Sequence, residues 1–195
     1  LPSLIRWRHM SSAPVSSRLF SAQAAFGLLA LGGGLLHTAK GAVLLAGGPD
    51  LPVVPAMLLL FSVGLLGLHA RAHGPLVIPG VVLVLAAAIA AGVALIYQFA
   101  GIVPEDAGDS SGVRIAYAAA TAGILFGLGM LGLAARHETA IASLWRWLPL
   151  VMAVAWFPLE GLTAVTPDGL GLLLAGLAWT AVAVAIWPGP QLSRP

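Results

Sequence analysis

Cysteine is absent from the 195-residue chain, and so is asparagine. The first absence excludes disulfides, thiolate metal sites, cysteine nucleophiles and thioether-linked haem. The second excludes N-glycosylation sequons. Charge is nearly absent as well: Asp, Glu, Lys and Arg together make up 8% of the residues, and Lys40 is the only lysine. A water-soluble domain of this size needs a charged and polar exterior amounting to roughly a quarter of its residues. With 59% hydrophobic residues and a mean hydropathy of +0.99, the composition is that of a membrane protein. The formal charge of +2 is small and unclustered, so nothing points to nucleic acid. Arginine in place of lysine, with abundant Ala, Gly, Leu, Val and Pro, matches the usage of a GC-rich bacterial genome. The expected location is therefore a bacterial cytoplasmic membrane.

Catalytic signatures are missing too. The chain has no P-loop, no H-E-x-x-H and no pair of carboxylates on one apolar stretch. Ser62 in FSVG (61–64) does not supply a rhomboid-type nucleophile motif, and a retinal protein would need its lysine deeper in a span than Lys40 lies. Axial haem ligation needs histidines at matched depths, whereas His37 alone lies clearly within an apolar stretch. HARAH (69–73) with His137 is a weak metal pattern without a carboxylate partner beyond Glu138. No catalytic residue, metal site or cofactor is expected.

What remains is apolar sequence of membrane-crossing length. A spanning helix needs about 20 mostly apolar residues, and six stretches qualify: approximately 19–45, 51–69, 76–100, 113–135, 144–165 and 169–187. The first is too long, and too far from a small-residue cleavage pattern, to read as a removed signal peptide. The fold class is thus all-α, a six-helix transmembrane bundle over 19–187. A cytoplasmic or interfacial segment (1–18) precedes it and a short tail (188–195) follows. LPSLIRWRH before Met10 fits an interfacial segment or an unused upstream start equally well.

Charge placement orients the bundle. Arg6, Arg8, Arg18, Arg71, Arg136, Arg146 and Arg194 fall on one side of a six-span arrangement; Asp50, Glu105, Asp106, Asp109 and Asp168 fall on the other. The basic side is expected to be cytoplasmic, with both termini inside, and Arg114 is the exception. Trp145, Trp147 and Trp187 fit the inner interface.

Small residues mark expected helix contacts. LLFSVGLLGLHAR (59–71) and ILFGLGMLGLAAR (124–136) echo each other at an offset of 65 residues, as a parallel duplication or as convergence between Gly- and Leu-rich spans. Gly64, Gly67, Gly129 and Gly132, with the G-x-x-x-G pair Gly123 and Gly127, permit close helix approach to this chain or to another.

Ionisable groups in apolar spans are costly and normally partnered. His37 and Lys40 are i and i+3 near the outer end of the first span, and Glu160 stands at nearly the same depth in the fifth. Tyr97, Gln98, Arg114 and Tyr117 gather at that level, and Pro158 frees a backbone carbonyl near Glu160. Gly33 and Gly41 are expected to leave the His37 stripe uncrowded. These residues define a candidate outward-facing pocket: His37, Lys40, Glu160, Tyr97, Gln98, Arg114 and Tyr117. The alternative is that Lys40 snorkels to the headgroups and His37 bonds a neighbouring helix.

In outline, six spans with inside termini, an outer polar pocket and small residues Ala22, Ala24 and Ala25 in the first span resemble the substrate-binding membrane components of energy-coupling-factor vitamin importers. That likeness is one of architecture and implies a small-solute binding role. The leading expectation is a non-enzymatic accessory or assembly subunit of a larger membrane complex, meeting a protein partner or a second copy through its Gly-rich faces. The alternative is a small-solute binding or transport component.

Overall fold

A computed structural model describes residues 15–100, 111–136, 146–163 and 169–186. Outside them lie the segment before 15, the acidic connection 101–110, His137, Glu138, Trp145, Asp168, Trp187 and the tail. Among the described residues the chain is all-helical. It comprises α1 (Val15–Leu45), α2 (Val54–Leu65), α3 (Val77–Phe99), α4 (Ser111–Ala135), α5 (Leu148–Thr163) and α6 (Leu170–Ile186), with a 3-10 turn (Leu66–Arg71) extending α2. Three segments are long and apolar enough to cross a membrane: Ala22–Leu45, Val77–Phe99 and Gly112–Ala135. The others are shorter. α2 with its 3-10 extension reaches about 30 Å, while α5 and α6 reach about 25 Å each. Gly64 and Gly67 lower helix propensity where α2 ends, and the chain tightens into the 3-10 turn there.

The helices form a closed ring in sequence order: each packs on its successor, and α6 returns to α1 in the most extensive contact of the bundle. Antiparallel pairing brings the start of α1 and the end of α6 to the same end of the bundle. Gly67 shows this directly, since a Cβ there would meet both Phe26 and Ile186.

The α1–α6 seam is made of reciprocal glycine–hydroxyl pairs. A Cβ on Gly34 would sit 2.8 Å from the Thr180 nitrogen, and one on Gly176 would collide with the Thr38 backbone. Each threonine donates its hydroxyl one turn back, Thr38 to the Gly34 carbonyl and Thr180 to the Gly176 carbonyl, both at 2.9 Å. The hydroxyls are thereby satisfied within their own helices, and the glycines let the two backbones approach. Farther along, Gly41 lies against Leu173, and Gly169, with φ +93°, lies against the Gly41 carbonyl. Only a residue without a side chain fits there.

α3 shows what surrounds the bundle. Its buried stripe is Gly80, Val84, Ala87, Ala91 and Ala94. Its outer face carries Ile78, Val82, Leu85, Ile89, Ile96 and Phe99, the last 84% exposed. Small residues inward and large apolar residues outward suit a bundle solvated by lipid, where packing rather than water exclusion holds helices together.

The glycine contacts are internal to the chain. Gly64 meets Ala30 of α1, while Gly123 and Gly127 meet Leu83, Val84 and Ala87 of α3. Gly129 and Gly132 face Ala153 and Pro149 of α5. The sequence echo therefore does not extend to packing: Gly64 is covered by the preceding helix and its counterpart Gly129 by the following one. The expectation that Gly33 and Gly41 leave space around His37 is corrected as well. A Cβ on Gly33 would lie 2.9 Å from the Met57 carbonyl oxygen, so both glycines admit neighbouring backbones rather than open room.

The seam carries a direct test. Gly176→Ala is expected to lower stability by about 1–3 kcal/mol in detergent unfolding titrations, because backbone blocks the new methyl. Gly92→Ala, with nothing within 4 Å of its Cβ, is expected to be neutral or to stabilise by up to about 1 kcal/mol. Equal effects from the two would refute the assigned seam.

Candidate functional site

The seam sets the rotation of α1. Successive helical residues step round by about 100°, so with Gly34, Thr38 and Gly41 turned to α6, the adjacent stripe Phe26, Ala30, Gly33, His37 and Lys40 faces the bundle interior. Its lower part packs on α2 through Ala30–Gly64 and Gly33–Phe61. Its upper part places His37 and Lys40 beside the start of α2.

α1 ends in a Schellman turn. Gly48 N–H donates to the Val43 carbonyl at 2.8 Å and Gly47 N–H to the Leu44 carbonyl at 2.9 Å. Gly47, at φ +75°, takes the left-handed position. The reversal carries Asp50 back over the helix end, where it pairs with Lys40. The same ammonium donates to the Leu51 carbonyl at 3.2 Å. Lys40 is 7% exposed, whereas the Asp50 side chain is 68% exposed, so the pair joins a buried cation to a carboxylate at the bundle end.

His37 lies deeper, 2% exposed, and neither ring nitrogen has a hydrogen-bond partner among the described residues. Its ring meets Trp156 of α5 edge-on, centroids 5.9 Å apart and planes at 74°. Trp156 contacts Trp179 of α6 at 5.2 Å, and Trp179 contacts Phe61 of α2 at 4.1 Å. The aromatic chain closes the floor beneath the histidine.

Above this floor is a cavity of about 150 Å³, lined by His37, Lys40, Met57, Tyr117, Thr121 and Trp156 among others. An open cleft of about 470 Å³ runs along α4 and α5 past Ala118, Ala122 and Phe126. Tyr117, Thr121 and Trp156 line both spaces.

The structure brings together His37, Lys40 and Tyr117 from the expected pocket. Gln98 is placed at the rim, where its amide donates to the Pro52 carbonyl at 2.7 Å and ties α3 to the α1–α2 loop. Tyr97, 41% exposed, and Arg114, also exposed, do not line the cavity. Glu160 stands on α5 four residues past Trp156, but its side chain lies outside the described residues. Asp50, Thr121 and Trp156 were not expected at the site. The G-G-P-D turn signalled a reversal ten residues after Lys40, which was the available hint for Asp50; Thr121 and Trp156 had no local signal.

Among the described residues no group of three or more His, Cys, Asp or Glu side chains is placed to hold a metal ion. What the cavity offers is hydrogen bonding and aromatic contact. Comparison with family models, curated proteins and solved structures gives no match.

The ion pair is testable. Asp50→Ala is expected to cost about 1–2 kcal/mol by leaving the Lys40 ammonium with a single carbonyl partner. Lys40→Met combined with Asp50→Ala is expected to recover most of that loss, since the stranded cation is what destabilises. A double variant no more stable than Asp50→Ala, in the same unfolding titration, would contradict the assignment.

Proposed function

We propose that this protein is a six-span bundle of a bacterial cytoplasmic membrane, with both termini inside, that binds or transports a small solute at its extracytoplasmic end. The observation that carries the reading is the cavity of about 150 Å³ at the Lys40 end, where the buried His37 ring, Lys40, Tyr117 and Thr121 come together. Antiparallel α1 and α6, with the described chain starting and ending at one end of the bundle, support an even number of crossings. The Lys40–Asp50 pair lies at the opposite end, and the positive-inside rule supports an extracytoplasmic location for that end.

The accessory-subunit reading rests on short connections and on the lack of catalytic motifs. Gly64, Gly67, Gly123, Gly127, Gly129 and Gly132 meet this chain's own helices, so a partner chain would engage some other face.

Mild-detergent purification followed by native mass spectrometry is expected to show a small molecule retained by the wild type and lost from His37→Leu. A stoichiometric protein partner with no small molecule would instead establish the subunit reading. Reporter fusions in 101–110 and at the C-terminus are expected to report opposite sides of the membrane, and the same side for both would sink the six-span topology.

A further inference from the structure

We infer that the cleft between α4 and α5 is a phospholipid site, with one acyl chain seated along α4 and the phosphate held at Arg114. The inference goes beyond the solute-binding reading and does not depend on it.

The cleft follows from how the two helices meet. Toward the Ala135 end of α4, glycines hold α5 close. A Cβ on Gly132 would lie 3.0 Å from the Pro149 Cβ, and one on Gly129 would lie 3.8 Å from the Ala153 Cβ. The gap widens over that turn, and beyond it the helices part around about 470 Å³ lined by Tyr117, Ala118, Thr121, Ala122, Phe126 and Trp156 among others. Ala118, Ala122 and Phe126 are exposed at intervals of four residues, so they form one outward stripe. On α3 the outward positions are filled by Ile78, Val82, Leu85 and Ile89. On α4 two alanines leave a groove instead.

Depth and size select the occupant. Residues 117–126 lie within Gly112–Ala135, which is long and apolar enough to cross a membrane. They run about 14 Å along the helix, close to the hydrocarbon depth of one leaflet, about 15 Å. Water finds too few polar partners along such a wall, so the bilayer fills the space. At about 30 Å³ for a water-sized or methylene-sized unit, the cleft holds roughly 15 units. That is one acyl chain and not two.

Charge selects the lipid. Arg114 is exposed one turn before Ala118 on the same stripe, and it is the one arginine that falls outside the basic side of the sequence. The order along α4 is therefore guanidinium, Tyr117 phenol, Thr121 hydroxyl, alanines and the Phe126 ring. A phospholipid descending from the membrane surface presents phosphate, ester and chain in the matching order. Arginine binds phosphate oxygens through its fork of donors. Arg114 also interacts within the chain, and five N–H donors serve both purposes. Asp50 is exposed at the same end, so a headgroup that carries an ammonium beside its phosphate is favoured over a net anionic one.

The test purifies the full chain in mild detergent, strips bound lipid and adds back palmitoyl-oleoyl phosphatidylethanolamine or the matching diacylglycerol, which lacks the phosphate. Native mass spectrometry reads the occupancy. The wild type is expected to take up one phosphatidylethanolamine per chain, at least 10-fold more tightly than the diacylglycerol. Arg114→Gln should weaken the phospholipid at least 10-fold and so remove that preference. Ala122→Trp should weaken both lipids by filling the groove, and Ala118→Leu replaces it should the first variant not fold. Ile89→Trp, equally bulky on the outward face of α3, should change neither. Equal uptake of the two lipids, or uptake indifferent to Arg114→Gln, would overturn the phosphate contact. Uptake indifferent to both groove-filling variants, or lowered as much by Ile89→Trp, would overturn the chain site. A dimer dissolved by Ala122→Trp would assign the cleft to a second copy of the chain and overturn it as well, as would uptake of neither lipid.

Discussion

The reciprocal Gly34–Thr180 and Thr38–Gly176 contacts are the constraint on which the rest of the bundle depends. They join the first helix to the last and turn a row of sequential helix pairs into a closed ring. They also fix the rotation of α1. If that helix turned by one residue, His37 and Lys40 would leave the interior stripe, and two ionisable groups would face lipid at high cost. The site therefore depends on glycines that never touch it.

Lipid as solvent explains why small residues carry this architecture. Leucine gains little by leaving hydrocarbon for a protein interior, so association relies on dispersion and on backbone proximity. α3 follows the same rule, with glycine and alanine inward and isoleucine and phenylalanine outward. Hydroxyls obey it too: Thr38, Thr180 and Ser62 each bond a carbonyl of their own helix and ask nothing of a neighbour. At the Lys40 end, Lys40 and Gln98 instead reach out of their own helices, to Asp50 and Leu51 and to the Pro52 carbonyl.

The helices were legible in the sequence because length and hydropathy depend only on local composition. Each expected stretch corresponds to an observed helix, with α2 shortened where Gly64 and Gly67 admit a 3-10 turn. Of the expected pocket residues, His37, Lys40 and Tyr117 line one cavity. Azimuth was not legible. Whether a glycine meets this chain or another depends on which face a helix turns, and that is set by contacts far apart in sequence, such as Gly176 with Thr38. For the same reason exposure could not be read for Tyr97 and Arg114, which turn outward rather than line the cavity. The partner of Lys40 was hidden for a simpler reason: matching depth pointed across the bundle to Glu160, while the Schellman turn at Gly47 delivered Asp50 from the adjoining loop.

Against this background His37 is the residue with both side-chain nitrogens buried and unpartnered among the described residues. A core position beside Met57, Phe61 and Trp156 accepts Leu, Met or Phe at little packing cost, and any of these would remove the roughly 1–3 kcal/mol penalty of an open buried imidazole. The bundle settles Thr38, Thr180 and Ser62 within one turn of helix and Lys40 with a loop carboxylate, whereas Gln98 Oε1 and Arg146 Nε, like the His37 nitrogens, have no partner among the described residues. Packing gives no reason for the imidazole, and orientation of a neighbour gives none either, because it donates to nothing among the described residues. Both ring nitrogens are occluded as well as unpartnered among the described residues, and the ring's described aromatic contact is the edge-on one with Trp156.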